Sequence, residues 1–224
     1  MYVIDYYDDL FSDLQGTQLY YEFIASHLKG HSILEFACGS GDLLNLFSKD
    51  YEIKGIDLDQ SMLDKAVSKY PNLKDFVKQG NFLDYHDKQY DTLVCVGDSL
   101  NYMLDINDLE KFVENAVKLS NYIIVDCHHP YRLIEFQTPY FEEGSTENFD
   151  YAYLITANDQ YLQHQINFLN GQVETIVQWV FEPTTLMDMF KNRGYNVKVY
   201  TDFEHEGISD EGEKVFMIFE REFV

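Results

Sequence analysis

The sequence predicts an α/β fold: a mostly parallel sheet with helices on both faces and an antiparallel β meander inserted late in the chain. Three observations predict it. Up to Pro130, short apolar runs alternate with segments of helical rhythm. From 151 to 181 the texture changes to β-rich runs separated by turn residues. After Pro183 the chain returns to one helix and two strands.

Taken in order, residues 8–28 place Leu10, Phe11, Leu14, Leu19, Phe23, Ile24 and Leu28 at helical spacing, with a break expected near Gly16. Residues 32–37 form a short apolar strand that runs into Cys38-Gly-Ser-Gly. Asp42 to Lys49 reads as a helix, Tyr51 to Ile56 as a strand closed by Asp57, and Gln60 to Tyr70 as a helix. Strands follow at 75–79 and 91–96, then a helix at 109–119 with Asn107 as its expected cap, then a strand at 122–125. Strands alternating with helices in this way need a parallel sheet covered on both sides.

The acidic stretch 142–150 reads as a solvated loop. The runs 151–157, 161–169 and 172–181 read as a meander, separated by Asn158-Asp159 and Asn170-Gly171. Asn-Gly tolerates the positive φ of a tight hairpin turn. Pro183 opens a helix that Gly194 ends, and strands at 197–203 and 215–220 flank the acidic loop 204–213.

The chain has 224 residues, of which 16 are Lys or Arg and 39 are Asp or Glu, a formal net charge of −23. A body that acidic repels phosphate backbones and anionic lipid headgroups, so nucleic acid and membrane are poor partners. No apolar run approaches the ~20 residues of a membrane span, and the start has no basic segment followed by an apolar one. Cys38, Cys95 and Cys127 are odd in number, spread out and without metal-ligand spacing. They fit core residues of a reducing compartment, and a cytoplasmic location is expected.

The first strand-to-helix turn carries the chemistry. Small residues at Ala37, Gly39 and Gly41 let backbone approach a ligand at the carboxyl edge of the sheet. A dinucleotide fingerprint would want glycines where Ala37 and Asp42 stand, so that pattern fails twice. Glu35, two residues before Ala37, suits a positively charged amino group and is a poor neighbour for a pyrophosphate. Asp57, at the tip of the next strand, can accept both hydroxyls of a ribose.

The run Glu35-x-Ala37-x-Gly39-x-Gly41, followed by Gly55-Ile-Asp57-Leu-Asp-Gln-Ser-Met62, resembles class I S-adenosylmethionine-dependent methyltransferases. Gln79-Gly-Asn-Phe82 and the segment from Tyr90 through Gly97-Asp98 to Tyr102 match further motifs of that family. Asp98-Ser-Leu-Asn-Tyr102 and Asp126-Cys-His-His-Pro-Tyr131 resemble the small bacterial YqeM-like group. Two positions depart from the pattern: Ala37 replaces a glycine, and Asn81 stands where Asp is commoner.

The resemblance implies a Rossmann-like class I methyltransferase fold with a mostly parallel seven-stranded sheet, its last strand antiparallel. It implies a single domain over 1–224: a helical cap at 1–31, a cofactor-binding core at 32–130, an inserted loop and meander at 142–181, and a helix with the last two strands at 182–224. S-adenosylmethionine is the implied cofactor. Glu35, Ala37, Gly39 and Gly41 would hold its methionine end and Asp57 its ribose. Leu58 and Met62 would pack on the adenine, with Asn81 and Phe82 at the edge of the ring. Gly97 and Asp98 would line the floor beside the sulfonium. Tyr7, Tyr20 and Tyr21 resemble the N-terminal tyrosines that close over the cofactor in related N-methyltransferases; packing of an aromatic helix is the competing reading, as helix–sheet packing is for Met62. His128 or His129, after the fifth strand, is expected as a general base, against the alternative of hydrogen-bonded loop histidines. His164 reads as structural, and no metal site is expected.

The expected activity is methyl transfer to a nitrogen or oxygen nucleophile of a small-molecule acceptor. A cofactor-binding sensor without turnover, or an RNA-modifying methyltransferase, would carry the same pocket motifs. The failed glycine pattern and Glu35 count against a nicotinamide oxidoreductase. The meander is expected to shape the acceptor pocket, with a homodimer interface as the alternative.

Overall fold

The computed structural model describes residue 10 and residues 13–222. Helix α1 spans Leu14–His27. It starts at Asp13, whose carboxylate accepts from the Gln15 amide. The break expected near Gly16 falls at Asp13: residue 10 is helical, Asp13 is not, and α1 begins at Leu14. A Cβ at Gly16 would stand 2.5 Å from Asp13 Oδ2, so the glycine makes room for the cap instead of ending the helix.

The elements that follow are β1 (Ser32–Phe36), α2 (Asp42–Phe47), β2 (Glu52–Asp57), α3 (Gln60–Lys69), β3 (Val77–Gln79) and β4 (Thr92–Cys95). Then come α4 (Ile106–Leu119), β5 (Tyr122–His128) and α5 (Tyr131–Glu135). The inserted sheet is β6 (Tyr140–Ser145), β7 (Asp150–Asn158), β8 (Tyr161–Phe168) and β9 (Val173–Trp179). The chain closes with α6 (Pro183–Lys191), β10 (Tyr195–Thr201), β11 (His205–Glu206) and β12 (Lys214–Arg221).

The main sheet runs β11-β10-β12-β5-β4-β1-β2-β3. Strands β1 to β5 pair in parallel. β12 is antiparallel to both β5 and β10. Seven strands are those expected; the eighth, β11, is a two-residue edge piece in a stretch read as loop. It forms because the corner after β10 folds back tightly. Asp202 and Phe203 both take positive φ, and the Asp202 carboxylate accepts from the Glu213 and Lys214 amides.

Each face of this sheet buries one core. Phe23, Ile24, Leu44, Phe47 and Leu63 from α1–α3 pack on Ile33, Val94, Ile124 and Phe216. Leu109, Phe112, Leu186 and Phe190 from α4 and α6 pack on Leu34, Leu93, Val125 and Met217. β5 is buried along its whole length, which explains its near-continuous apolar sequence.

Two further expectations need correction. Helix α4 is capped by Asp105, whose side chain accepts from the Asn107 and Asp108 amides, not by Asn107. Both are good capping residues, and the earlier one wins because the helix already begins at Ile106. The acidic stretch at 142–150 is not a loop throughout. Residues 140–145 form β6, paired with β7 from Tyr140↔Ile155 to Ser145↔Asp150. Its glutamates suit an edge strand, where charge discourages further pairing.

Candidate active site

The β1–α2 turn is built from left-handed backbone. Ala37, Gly39 and Gly41 have φ of 54°, 53° and 79°. The Cys38 amide donates to the Ile56 carbonyl at 3.1 Å, which ties the turn to β2. Asp57, at the end of β2, accepts from the Gly39 amide at 2.8 Å and from the Asp59 amide at 2.9 Å. Burial pushes its carboxyl up, and those amides oppose the shift.

Glu35 lies behind this turn, 5% exposed, and its Oε2 has no hydrogen-bond partner. Burial, then the nearby Asp57 and Asp42, push its carboxyl up to about 8. An orphaned buried carboxylate oxygen calls for a cation, and the ammonium of a methionine moiety meets that need. The residues present therefore fit S-adenosylmethionine.

The expected adenine contacts are placed unevenly. Leu58 is 67% exposed at the edge, free to cover a flat ligand. Met62 is buried, its Cε packed close over Gly39. Asn81 is exposed and its Oδ1 accepts from the Leu83 amide, leaving its amide NH2 unused in that turn. The Phe82 ring packs against Phe36 and Phe112.

The other half of the site centres on Asp126 of β5, fully buried. Its carboxylate accepts from the Gly97 and Asp98 amides at 3.1 and 3.2 Å and from the Tyr20 hydroxyl at 2.6 Å. Gly97 and Asp98 have φ of 75° and 62°. Lys214, at the start of β12, is hydrogen-bonded to Asp98 and lies 3.8 Å from Asp126. Burial alone would raise Asp98, but Lys214 and then His128 hold it below the usual carboxylate range. Asp126 is pushed up, by burial first, with Lys214 opposing. Burial would lower Lys214, and the two carboxylates keep it above its ordinary value.

Both histidines are engaged. His129 Nε2 is 3.0 Å from the Ser209 carbonyl, so it donates there, and Nδ1 accepts from the Tyr131 amide at 3.0 Å. That leaves it no lone pair for the expected base role. His128 has Nδ1 3.5 Å from Asp98 Oδ1 and Nε2 2.8 Å from Gln178 Oε1. Tyr20 is drawn to Asp126, and Tyr21 packs against Phe47. Tyr7 lies outside the described residues.

Lys214, Asn101 and Gln178 complete this half without having been foreseen. The only sequence signal for Lys214 is that it is the sole Lys or Arg between Lys198 and Arg221, in an acidic stretch. Asn101 lies in the Asp98-Ser-Leu-Asn-Tyr102 run that carries the resemblance, with no role implied for it, and Gln178 carries no signal of its own.

Residues 33–121 match a family profile described as a methyltransferase domain. That match places a methyltransferase domain within the Rossmann-like sheet. Over nearly its whole length it is similar to YqeM of Bacillus subtilis (strain 168), a candidate methyltransferase by name. The two are 29% identical over 227 residues, 94% of this chain and 92% of the relative. Two solved structures share the fold. An S-adenosylmethionine-dependent methyltransferase from Clostridium acetobutylicum ATCC 824 superposes with a TM-score of 0.81 at 18% identity, over 97% of this chain and 96% of that one. A sugar N-methyltransferase from Streptoalloteichus sp ATCC 53650 superposes with a TM-score of 0.76 at 17% identity, over 99% and 93%. Among the described residues no helix is long and apolar enough to cross a membrane.

Proposed function

We propose that the chain transfers a methyl group from S-adenosylmethionine to a nitrogen or oxygen nucleophile of a small molecule. The observation that carries this reading is the orphaned, buried Glu35 oxygen behind a left-handed turn whose Gly39 amide is held by Asp57. Glu35 receives the ammonium, and Asp57 receives the ribose hydroxyls while it keeps the Gly39 amide. Leu58, Met62, Asn81 and Phe82 frame the base, and the Gly97 backbone lines the sulfonium side.

The bound cofactor supplies a methyl that is already electrophilic. What remains for the protein is to align the acceptor lone pair with the methyl–sulfur bond and to exclude water. Asp98 presents a carboxylate to the acceptor side, where positive charge builds on the attacking atom. The net charge of −23 favours a neutral or cationic acceptor over RNA. The sugar N-methyltransferase of the same fold is an example of such chemistry. The bacterial relatives and the three free cysteines fit a cytoplasmic enzyme.

Calorimetry with S-adenosylhomocysteine on the wild type and Asp57→Ala tests the cofactor half. Losing a paired buried acceptor costs ~1–3 kcal/mol, so affinity falls roughly 5- to 150-fold. Equal affinities, or tighter binding of a nicotinamide cofactor, would sink the reading. Incubation with labelled methyl donor and metabolite extracts separates an enzyme from a cofactor-binding sensor.

A further inference from the structure

A polar row crosses the inner face of the inserted sheet. Tyr153, His164 and Gln178 stand on three successive strands, on the face that also carries the buried Ile155, Leu162 and Ile166. The Tyr153 hydroxyl is 2.6 Å from His164 Nδ1. Gln178 lies beside His164 on one side and 2.8 Å from His128 Nε2 on the other. The row therefore ends at the carboxyl edge of the main sheet, against Asp98.

The docking of β9 there is fixed by Asn101, which is fully buried. Its Oδ1 accepts from the His128 amide at 3.0 Å, and its Nδ2 donates to the Trp179 carbonyl at 2.7 Å. One side chain thus joins the residues on either side of the His128–Gln178 contact.

We propose that Gln178 is a positioning residue of the active edge: it fixes the His128 imidazole so that the Nδ1 proton points at the Asp98 carboxylate. This rests on the reading of Asp98 as the carboxylate beside the transferred methyl. The groups around His128 are Asp98 after β4, Lys214 on β12 behind Asp98, Gln178 in the inserted sheet and His164 beyond it; Arg132 on α5 acts on Asp98 and His164.

The chemistry of the partners sets the proton. A carboxylate only accepts, so the ring nitrogen that faces Asp98 carries hydrogen. With Nδ1 carrying the hydrogen, Nε2 needs a donor, so in our proposal the amide turns its NH2 toward His128, the reverse of the Oε1 placement at 2.8 Å. Which end faces the ring is set by the network. A leucine would strand that nitrogen, and a carboxylate would force a second proton onto it. His164 meets the same amide from the far side. Burial pushes it down to about 4, so it stays neutral, with one N–H and one lone pair. Its Nε2 is buried without a hydrogen-bond partner, and we assign the amide oxygen to it.

The test is nitrogen-15 histidine NMR on the full chain without cofactor, for wild type, Gln178→Leu and Gln178→Glu, each checked for a native fold. In the wild type His128 Nδ1 is protonated. In Gln178→Leu the single-tautomer signature is lost and the two ring nitrogens average. In Gln178→Glu both nitrogens are protonated at pH 7, because a carboxylate faces each. S-adenosylhomocysteine affinity stays within about threefold of wild type in both, under 1 kcal/mol. An unprotonated Nδ1 in the wild type, or a His128 spectrum in both folded variants identical to wild type, would overturn the proposal. So would a loss of affinity as large as that of Asp57→Ala. Failure of the wild type itself to bind S-adenosylhomocysteine would instead remove the methyl-transfer reading, with the His128 spectrum still deciding the role of Gln178.

Discussion

Tyr20 donates its hydroxyl to the Asp126 carboxylate at 2.6 Å, across 106 residues of chain. The same carboxylate holds the Gly97 and Asp98 amides, so helix α1 is bonded through one buried acid to the turn that carries Asp98. The ring of Tyr20 also packs edge-on to Phe203 at 5.1 Å and against Phe216 at 5.6 Å.

Tyr20→Phe keeps that packing and removes only the donor. Leaving Asp126 short of a partner costs ~1–3 kcal/mol, a fall in Tm of roughly 2–12 °C for a chain of this size. Thermal unfolding measures it. A Tm unchanged within error would mean that the bond does not couple α1 to the sheet.

Glu35 makes stability and ligand binding respond to pH in opposite senses. Its folded value of about 8 lies above the ordinary 4.5, so the ligand-free fold binds this proton more tightly than the unfolded chain does. That contribution is complete below about pH 4.5 and is lost as pH rises through about 8. The stability of wild type relative to Glu35→Gln therefore falls across that window, by up to about 1.4 kcal/mol per unit. Affinity for S-adenosylhomocysteine rises over the same range, up to tenfold per unit, because its ammonium needs the ionised carboxylate. If Glu35→Gln keeps the wild-type pH slope of binding, Glu35 is not the ammonium partner.

Ala37 holds a φ of 54°, in a region that disfavours any side chain. Ala37→Gly relieves about 1 kcal/mol of backbone strain, offset in part by the extra freedom of glycine in the unfolded chain. A rise in Tm of roughly 1–4 °C is expected, with cofactor affinity kept. A fall in Tm would show that the methyl group contributes packing that outweighs the strain.

Asn101→Ala removes both bonds that pin β9 to the active edge. The orphaned His128 amide and Trp179 carbonyl cost ~1–3 kcal/mol each if they stay buried. Hydrogen exchange is expected to speed up in β8 and β9 before it changes in β1 or β4. Uniform acceleration across both sheets would mean that the inserted sheet does not open as a separate unit.

Much of the proposed cofactor half was legible because it is local. Glu35, Ala37, Gly39 and Gly41 fall within one strand and its turn, and Asp57 follows at the tip of the next strand, paired in register with β1. Helical and strand rhythms were equally readable where packing is one-sided or fully buried. β6 was not, because an exposed edge strand carrying Glu142 and Glu143 has the composition of a loop. Asp105 was missed as a cap because helix starts are decided within a residue or two among several good capping side chains.

On the proposed acceptor side Tyr20, Asp98 and His128 were legible as candidates but their partners were not, for a different reason. Tyr20, Asp98, Asp126, His128, Gln178 and Lys214 come from α1, the turn after β4, β5, β9 and β12, and the Lys214–Asp98 bond alone spans 116 residues. No spacing rule links such positions, since each rests on where separate elements dock. Local backbone chemistry, in the alternation, the left-handed turn and the two acids beside it, determined the sheet and the β1–α2 loop. Which histidine nitrogen faces Asp98, and which tyrosine reaches Asp126, was decided only by tertiary packing, because hydrogen bonds between distant segments exist only once those segments are held together.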